Sequence, residues 1–445
     1  MSAILIKNAR LVNEGEVREG DLLVRGGRIE RIGGEIPAGE AQVIEAEGLT
    51  LMPGMIDDQV HFREPGVTHK ADIASESRAA VAGGITSFFD MPNTKPQTVT
   101  LQALEDKFAR AAGRAWANYA FYLGGTNDNI EEIRALAPDQ TCGVKVFMGA
   151  STGNMLVDDP ATLEAIFRDC PTLIATHCED TPTIQANEAR YREQYGEWIP
   201  VRLHPLIRSE EACWKSSSLA VELARRHGTR LHVLHLTTAR ELALFEPGPV
   251  TGKRITAEAC VHHLHFCDAD YDRLGSLIKC NPAIKTAEDR AALRAALAED
   301  RLDVIATDHA PHTWDEKQDP SYFKSPAGLP LVQHALCMAL ELVHDGDLEL
   351  AQLVRKTAHA PAELFGIRER GFLREGYWAD LVLVDMDRPQ TVHREDVLYK
   401  CGWSPLEGAT LRSSVAMTFV NGELKYDRGE FHGGPGGQRL QFDRG

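Results

Sequence analysis

Eight short apolar segments recur between residues 51 and 365, and patterns typical of helices fill most of the intervals between them. Short apolar runs bounded by turns are typical of buried strands, and strands that alternate with helices form parallel sheets. We predict strands within 55–62, 85–93, 118–125, 143–149, 172–179, 230–237, 254–260 and 303–312. Eight alternations in about 315 residues predict an α/β protein with a TIM (β/α)8 barrel and insertions. A doubly wound sheet remains the alternative.

Both ends of the chain have the pattern of β-structure without intervening helices. Residues 4–50 contain short apolar runs separated by tight turns, with Gly26-Gly27 at a hairpin position. The segments 379–387 and 415–431 repeat this pattern, and Asn421-Gly422 is a strong hairpin signal. We therefore predict a small β-sandwich domain formed from both termini, flanking the barrel; the predicted ranges are 1–52 and 366–445 for the sandwich and 53–365 for the barrel.

Composition excludes several classes of partner. The 445 residues include 48 basic and 65 acidic side chains, and the net charge of −17 argues against nucleic acid or an anionic membrane surface. The apolar run Ile4 to Ile6 is too short for a signal peptide, and no stretch has the roughly 20 apolar residues of a membrane span. Nine cysteines without a CxxC pair indicate reduced thiols. We expect a cytoplasmic protein that acts on a small molecule.

Titratable side chains gather where the predicted strands end. Three segments end in or near a histidine, and the last one ends in an aspartate and a histidine; the residues are His61, His177, His235, Asp308 and His312. The carboxyl ends of barrel strands meet at one rim, where catalytic groups of such barrels lie. Three imidazoles and a carboxylate at one rim predict a site for a zinc-class metal, since such metals take nitrogen and oxygen ligands.

Two interpretations stay open on the residues alone. A single buried histidine is more often a hydrogen-bonded structural group than a ligand, and we interpret His232 and the pair His262-His263 in this way. Lys145 is unusual inside an apolar strand, because burying an ammonium group is costly and lowers its pKa. It is either paired with a carboxylate or, as a neutral amine, able to take up CO2 as a carbamate that bridges two metals. Residue chemistry alone favours the pairing.

Several motifs then follow one another along the chain: PGMIDDQVHFREPG (53–66), MPNT (91–94), ATHCE (175–179), HVLHLTTA (232–239), TAEACVHHL (256–264), NPAIK (281–285) and ATDHAPHT (306–313). In this order they resemble the cyclic amidohydrolases of the amidohydrolase superfamily, most closely the dihydroorotases, nearly from end to end. The combination of HFREPG and DHAPHT is specific. Hydantoinases, dihydropyrimidinases and allantoinases share the barrel and metals but generally lack an arginine at the position of Arg63.

The resemblance implies a binuclear zinc enzyme of de novo pyrimidine biosynthesis. The implied reaction is the reversible cyclisation of N-carbamoyl-L-aspartate to L-dihydroorotate, with a homo-oligomer such as a dimer as the active form. Two zinc ions bridged by a carboxylated lysine are implied, with His61, Lys145, His177, His235 and Asp308 as ligands. Asp308 is also implied as the group that moves the proton. The implied substrate-binding residues are Arg63, Asn93, Asn281 and His312, with the backbone around Ala327-Gly328 nearby.

One position departs from the pattern of the family. The first strand normally carries His-x-His, whereas this chain has Gln59-Val60-His61. A glutamine carbonyl is a weaker zinc ligand than imidazole, so we expect the more buried metal to bind more weakly than its neighbour.

Two alternative functions are kept. One is another cyclic amidohydrolase, of the allantoinase or hydantoinase/dihydropyrimidinase type. The other is a catalytically silent assembly partner of aspartate transcarbamoylase, which only Gln59 supports. A silent barrel should also have lost its proton-transfer and carboxylate-binding groups, and Asp308 and Arg63 are both present. The sequence therefore favours the enzyme.

Overall fold

The computed structural model describes residues 3–149 and 155–444. Its strands are short and lie close to the predicted segments. They are β1 Ile4–Asn13, β2 Glu16–Arg25, β3 Arg28–Gly33, β4 Gln42–Glu45, β5 Thr50–Pro53, β6 Met55–Val60, β7 Ile85–Asp90, β8 Asn118–Phe121, β9 Leu123–Gly124, β10 Val144–Phe147, β11 Ile174–His177, β12 Leu231–Val233, β13 Ile255–Cys260, β14 Val304–Ala306, β15 Leu381–Asp385, β16 Gln390–Thr391, β17 Thr410–Leu411, β18 Ser414–Val420, β19 Glu423–Asp427 and β20 Glu430–Phe431.

Helices follow most of the middle strands, and many begin at a side chain that caps them; Thr100, for example, accepts a hydrogen bond from the N–H of Ala103. Within the described ranges, no helix has the length and apolar character needed to cross a membrane. The helices are α1 Ile73–Ala82, α2 Leu101–Ala111, α3 Ile130–Arg134, α4 Pro160–Asp169, α5 Thr181–Tyr195, α6 His204–Ile207, α7 Glu210–His227, α8 Val261–His265, α9 Tyr271–Leu274, α10 Ala287–Ala298, α11 Trp314–Lys317, α12 Ala335–His344, α13 Leu350–Val354 and α14 Ala360–Phe365.

The middle strands run parallel and neighbour one another in the order of the sequence. One sheet contains β6, β7 and β8, and the next contains β9 to β14. Only Tyr122 separates β8 from β9, and a parallel bridge between Val60 and His309 connects the end of β6 to the segment after β14. A doubly wound sheet would reverse its strand order at one point. The strands described here show no such reversal, so that alternative is not the fold of this chain.

The predicted strands are present, but most end earlier than the sequence pattern indicates. His61 lies just past β6, and His235 and Asp308 lie just past β12 and β14. Lys145 lies within β10 rather than at its end, whereas His177 is the last residue of β11. His235 and Asp308 have left-handed backbone conformations, with φ angles of 41° and 49°, which are incompatible with a strand. The rim residues therefore lie on the turns that leave the strands.

The two ends of the chain form one mixed sheet. Its path is β20-β19-β18-β15-β5-β1-β2-β3, and β4 pairs with β1 as a ninth strand. The antiparallel pairing of β5 with β15 joins the N-terminal and C-terminal parts. The hairpins predicted at Gly26-Gly27 and Asn421-Gly422 are both present. The predicted β-domain built from both termini is thus present: among the described residues these nine strands form one continuous sheet with its own apolar cluster, and its arrangement as a sandwich stays a prediction.

A buried polar network fixes this terminal sheet to the parallel strands. Asp380, next to β15, accepts a hydrogen bond from Nδ2 of Asn118 on β8 at 3.1 Å and forms an ion pair with Arg370. Nδ2 of Asn421, in the turn between β18 and β19, donates to Oδ1 of Asn118 at 2.8 Å. These contacts hold the sheet at one side of the parallel strands and away from the rim.

Gly66 allows two loops of the rim to pack against each other. Its φ is 87°, and a Cβ atom at this position would lie 1.9 Å from the backbone oxygen of Lys95. The loop of Gly66 follows Arg63, and the loop of Lys95 follows Asn93. The close approach of these two backbones therefore helps to place both side chains.

We predict that Gly66→Ala destabilises the protein by about 2–5 kcal/mol, the sum of left-handed backbone strain and forced displacement of a packed neighbour. The matched control is Gly113→Ala, where φ is 71° but no atom lies within 4 Å of the added Cβ. It should cost only the backbone strain of about 1–2 kcal/mol. Denaturant unfolding of both variants measures the difference, and equal losses would contradict the role of the Lys95 contact.

Candidate active site

A cavity opens at the carboxyl ends of the parallel strands and collects most of the predicted site residues. The predicted ligands, the residue that departs from the family pattern and three of the four predicted substrate-binding side chains face it. Its walls are formed by Gln59, His61, Arg63, Asn93, Lys145, Phe147, His177, His235, Asn281, Asp308, Ala310, Ala327 and Gly328. Among the predicted side chains, His312 is the one that does not line the wall.

His177 and His235 present two imidazole nitrogens to each other. Nε2 of His177 lies 2.9 Å from Oε2 of Glu179, which can only accept, so this nitrogen carries the proton and Nδ1 carries a lone pair. That Nδ1 lies 3.0 Å from Nε2 of His235. Burial lowers the pKa of both imidazoles, and His177 lowers that of His235 further. The pair is therefore neutral and suited to metal binding.

Glu179 is held as a carboxylate by a buried arginine. Burial alone raises its pKa, but Arg208 and His177 together lower it to about 2. Arg208 forms a buried ion pair with Oε2 of Glu179, the oxygen that also accepts from His177. A carboxylate that accepts from the far nitrogen of a ligating imidazole fixes the tautomer and orientation of the ring.

His61 and Asp308 form a second pair of facing atoms at the cavity wall. Nδ1 of His61 donates to Oδ1 of Asn93 at 2.8 Å, which leaves the lone pair on Nε2. This nitrogen lies 3.1 Å from Oδ1 of Asp308. The amide of Gln59 donates to the same oxygen at 3.2 Å. An imidazole lone pair and a carboxylate oxygen at this distance repel each other unless a proton or a cation lies between them.

Lys145 points into the cavity without a carboxylate partner. Among the residues that the structure describes, its Nζ has no hydrogen bond or ion pair, and it lies 4.7 Å from the centre of the Phe147 ring. Burial lowers the pKa of Lys145 to about 8, against the opposing effect of Asp308 and Glu258. The pairing that residue chemistry favoured is therefore wrong. A neutral fraction of this amine is available at physiological pH, as carbamate formation requires.

Arg63 is held at the cavity wall by groups that leave part of its guanidinium free. Its Nε donates to the backbone oxygen of Pro311 at 3.0 Å. Nζ of Lys70 donates to Nδ1 of His312 at 2.9 Å, so Nε2 of His312 carries the proton and donates to the backbone oxygen of Ala327 at 3.0 Å. That nitrogen cannot also accept from Arg63, although the two groups are 3.2 Å apart. The Nη groups of Arg63 thus remain donors for an anion, and His312 supports Arg63 from behind.

Three residues of this rim have strained backbone conformations. Arg63, His235 and Asp308 all have positive φ angles, of 65°, 41° and 49°. Such conformations are unfavourable for residues other than glycine and are maintained only where the surroundings impose them. At His235 the buried carboxylate of Glu258 accepts from the backbone N–H at 3.0 Å. The fold therefore turns three functional side chains towards one point at an energetic cost.

Several supporting groups were not predicted from the sequence. Glu179 lies two residues after His177, and Glu258 lies two residues before the end of the predicted strand 254–260, so both could have been suspected from their positions. Arg208 belongs to a distant segment and could not. His232 is buried and hydrogen-bonded to Thr256, and its Nε2 lies 3.2 Å from Asp58 and 3.3 Å from Glu258. This agrees with its structural interpretation.

The donors of the cavity fit a pair of zinc-class metal ions. Two imidazole nitrogens face each other, an imidazole faces a carboxylate, and an unpaired amine lies at the same cavity. Nδ1 of His235 is also buried without a hydrogen-bond partner in the described part of the chain. Nitrogen and oxygen donors of this kind suit zinc.

The profile of the amidohydrolase family matches residues 50–425. The chain belongs to this family. An allantoinase from Bacillus velezensis is 33% identical over 431 residues, which cover 96% of this chain and 94% of the relative. A dihydroorotase from Halobacterium salinarum is 34% identical over 430 residues, which cover 95% and 96%. In structure, L-hydantoinase (dihydropyrimidinase) from Arthrobacter aurescens is similar with a TM-score of 0.93 and 28% identity, over 99% of this chain and 100% of that one.

These comparisons confirm the predicted family but do not distinguish between the possible substrates. Relatives named dihydroorotase and allantoinase match this amidohydrolase at similar identity. The choice between substrates therefore depends on the side chains at the cavity wall.

We predict that Glu179→Gln weakens zinc binding at the His177–His235 pair by about 10–100-fold, because the variant loses the charge that fixes the His177 tautomer. The matched control is Glu164→Gln on the surface. Glu164 also accepts from a histidine, His227 at 2.7 Å, and pairs with Arg226 at 2.9 Å. Zinc competition with a chromophoric chelator measures both variants. Equal affinities in the two would show that Glu179 has no role in metal binding.

Proposed function

We propose that this amidohydrolase is a dihydroorotase, which catalyses the reversible cyclisation of N-carbamoyl-L-aspartate to L-dihydroorotate. The observation that supports this choice is Arg63. Its guanidinium lies at the wall of the cavity, and its Nη groups remain donors after its contacts with Pro311 and His312. A free guanidinium can bind a carboxylate with two parallel hydrogen bonds, and dihydroorotate carries a carboxylate beside its cyclic amide.

The remaining groups at the wall have complementary roles. Oδ1 of Asn281 is buried without a hydrogen-bond partner among the described residues, so it can accept a ring N–H of the substrate. Asn93 and Gln59 hold His61 and Asp308 in place through hydrogen bonds. Behind the wall, His312 supports Arg63 as a neutral imidazole, and Lys70, which is paired with Glu316, donates to His312 and holds it in place. We assign the predicted substrate-binding roles on this basis, with His312 acting through Arg63.

Asp308 is the proposed proton carrier. In the hydrolytic direction, water adds to the ring amide carbonyl, and the bond between that carbon and the ring nitrogen breaks. Asp308 takes the proton from the attacking water and returns it to the leaving nitrogen, which balances the reaction. The proposed metal pair, bound by His61, His177, His235, Asp308 and carboxylated Lys145, would supply Lewis acidity and lower the pKa of water. Burial of these groups strengthens their electrostatic effect on the transition state.

The proposal extends to the architecture and the setting of the enzyme. The sequential parallel strands and the bridge between Val60 and His309 support a closed (β/α)8 barrel over 53–365. The terminal ranges 1–52 and 366–445 would form the accompanying β-domain. A cytoplasmic homo-oligomer remains the predicted form of the enzyme.

The second candidate is the hydrolysis of an uncharged cyclic amide such as allantoin, which the similarity to a named allantoinase favours. An uncharged ring offers no partner for the guanidinium of Arg63, whose desolvation is costly. Burial lowers the pKa of Arg63 to about 10, against the raising effects of Asp308 and Asp90. The catalytically silent alternative is not favoured, because the proposed ligands and the proton carrier all line one cavity.

Turnover of a substrate panel tests the proposal. The zinc-loaded protein is assayed with dihydroorotate, allantoin and hydantoin, and the metal-free protein serves as the control. We expect dihydroorotate to have the highest specificity constant and removal of the metal to abolish turnover. Preference for allantoin or hydantoin would overturn the assignment, and absence of turnover with every ring in fully loaded protein would favour the silent alternative.

We predict that Arg63→Met lowers the specificity constant for dihydroorotate by roughly thirty- to a thousandfold, or about 2–4 kcal/mol, because a charge-assisted bidentate contact is lost. Zinc content should stay unchanged, since Arg63 contacts none of the proposed ligands. An unchanged specificity constant would mean that the substrate carboxylate is bound elsewhere.

We predict that Gln59→His increases the zinc content of the more weakly held active-site position. Imidazole is a better zinc ligand than an amide oxygen, and the side chain at position 59 already contacts Asp308. Zinc content is measured in a chelator buffer that leaves this position partly filled in the wild type. Gln59→Asn, which keeps the amide, is the matched control. Unchanged content in Gln59→His would show that Gln59 does not weaken the site.

A further inference from the structure

Three metal-type donors converge next to Gln59, outside the proposed ligand set. Cys260 ends β13, and His262 and His263 lie on α8 directly after it. Sγ of Cys260 and one ring nitrogen from each histidine all lie within 4.8 Å of one another, and all three residues are buried. Sγ of Cys260 is 3.7 Å from the amide oxygen of Gln59. The cluster therefore adjoins the active cavity on its Gln59 side.

The histidines of this cluster have unused nitrogens. Nε2 of His263 donates to the backbone oxygen of Pro282 at 3.0 Å, so Nδ1 carries a lone pair. This Nδ1 is buried without a hydrogen-bond partner in the described part of the chain, and so is one nitrogen of His262, while the other nitrogen of His262 lies near the backbone oxygen of Thr307. Each buried polar atom left unpaired costs about 1–3 kcal/mol. The centres of the two rings lie 4.0 Å apart, so the ring faces pack against each other, but this packing provides no hydrogen bond for the nitrogens.

Burial keeps both imidazoles of the cluster neutral. Burial lowers the pKa of His263 to about 4 and that of His262 well below its usual range, so both rings are neutral and keep lone pairs. Burial and the nearby carboxylate of Glu258 raise the pKa of Cys260 well above that of a free thiol. A bound metal ion deprotonates a coordinating thiol, so Cys260 would coordinate as a thiolate.

We propose that Cys260, His262 and His263 bind a zinc-class divalent ion at a site separate from the proposed active-site pair. One thiolate and two imidazoles are a ligand set that zinc prefers, and three protein ligands leave a fourth position open. The amide oxygen of Gln59 lies 3.7 Å from Sγ of Cys260, and Oε1 of Glu258 lies 3.6 Å from it. The site does not depend on the identity of the substrate, because its ligands are not among the residues assigned to catalysis.

Cobalt substitution tests this site without measuring activity. The full-length protein is stripped of metal and loaded with Co2+, and its total metal content is measured. We expect a near-ultraviolet charge-transfer band from sulfur to cobalt that disappears in Cys260→Ser. Cys142→Ser, at another fully buried cysteine outside the cluster, is the matched control and should keep the band. His262→Asn should reduce the band while the thiol remains.

Zinc X-ray absorption of the wild type provides a readout that needs no variant, so a folding defect in Cys260→Ser cannot leave the proposal untested. We expect a sulfur scatterer at about 2.3 Å from zinc in addition to nitrogen and oxygen scatterers. A fully loaded wild type without sulfur ligation would overturn the proposal, and so would a cobalt–sulfur band that persists in Cys260→Ser. Loss of dihydroorotate turnover with sulfur ligation intact would instead count against the proposed function alone.

Discussion

Buried atoms that can each offer a lone pair face one another at the rim of this amidohydrolase. Nδ1 of His177 faces Nε2 of His235 at 3.0 Å, and Nε2 of His61 faces Asp308 at 3.1 Å. Such arrangements are unfavourable in a low-dielectric interior unless a cation or a proton lies between the acceptors. The surrounding structure maintains them. Glu179 fixes one imidazole, Asn93 fixes another, and strained turns orient His235 and Asp308.

The same constraint explains why Gln59 does not by itself indicate an inactive protein. The Gln59 amide donates a hydrogen bond to Asp308, so it stabilises this carboxylate from the position where the family pattern has a histidine. The ligands of the His177–His235 pair are untouched by this substitution. Sγ of Cys260 lies 3.7 Å from the amide oxygen of Gln59, so the cluster of Cys260, His262 and His263 adjoins the active cavity on this side.

The parts of the fold that follow from local pattern were predictable. The apolar segments predicted the parallel strands, and Asn421-Gly422 predicted its hairpin, because each of these signals lies within a few consecutive residues. Convergence of His61, His177 and His235 followed from their places near strand ends. The single terminal sheet depends on pairing β5 with β15, which are far apart in the sequence, and the segment lengths alone did not indicate it. The contacts of Arg208 with Glu179 and of Lys70 with His312 likewise join distant segments, so the sequence carried no signal for them.

The most direct test of this account is a crystal structure of the zinc-loaded enzyme with anomalous diffraction at the zinc edge. The account predicts anomalous peaks beside the His177–His235 pair and beside His61 and Asp308, with density for a carboxylate group beyond Nζ of Lys145. Fully loaded crystals in which zinc avoids these residues and Lys145 ends in a plain amine would contradict it.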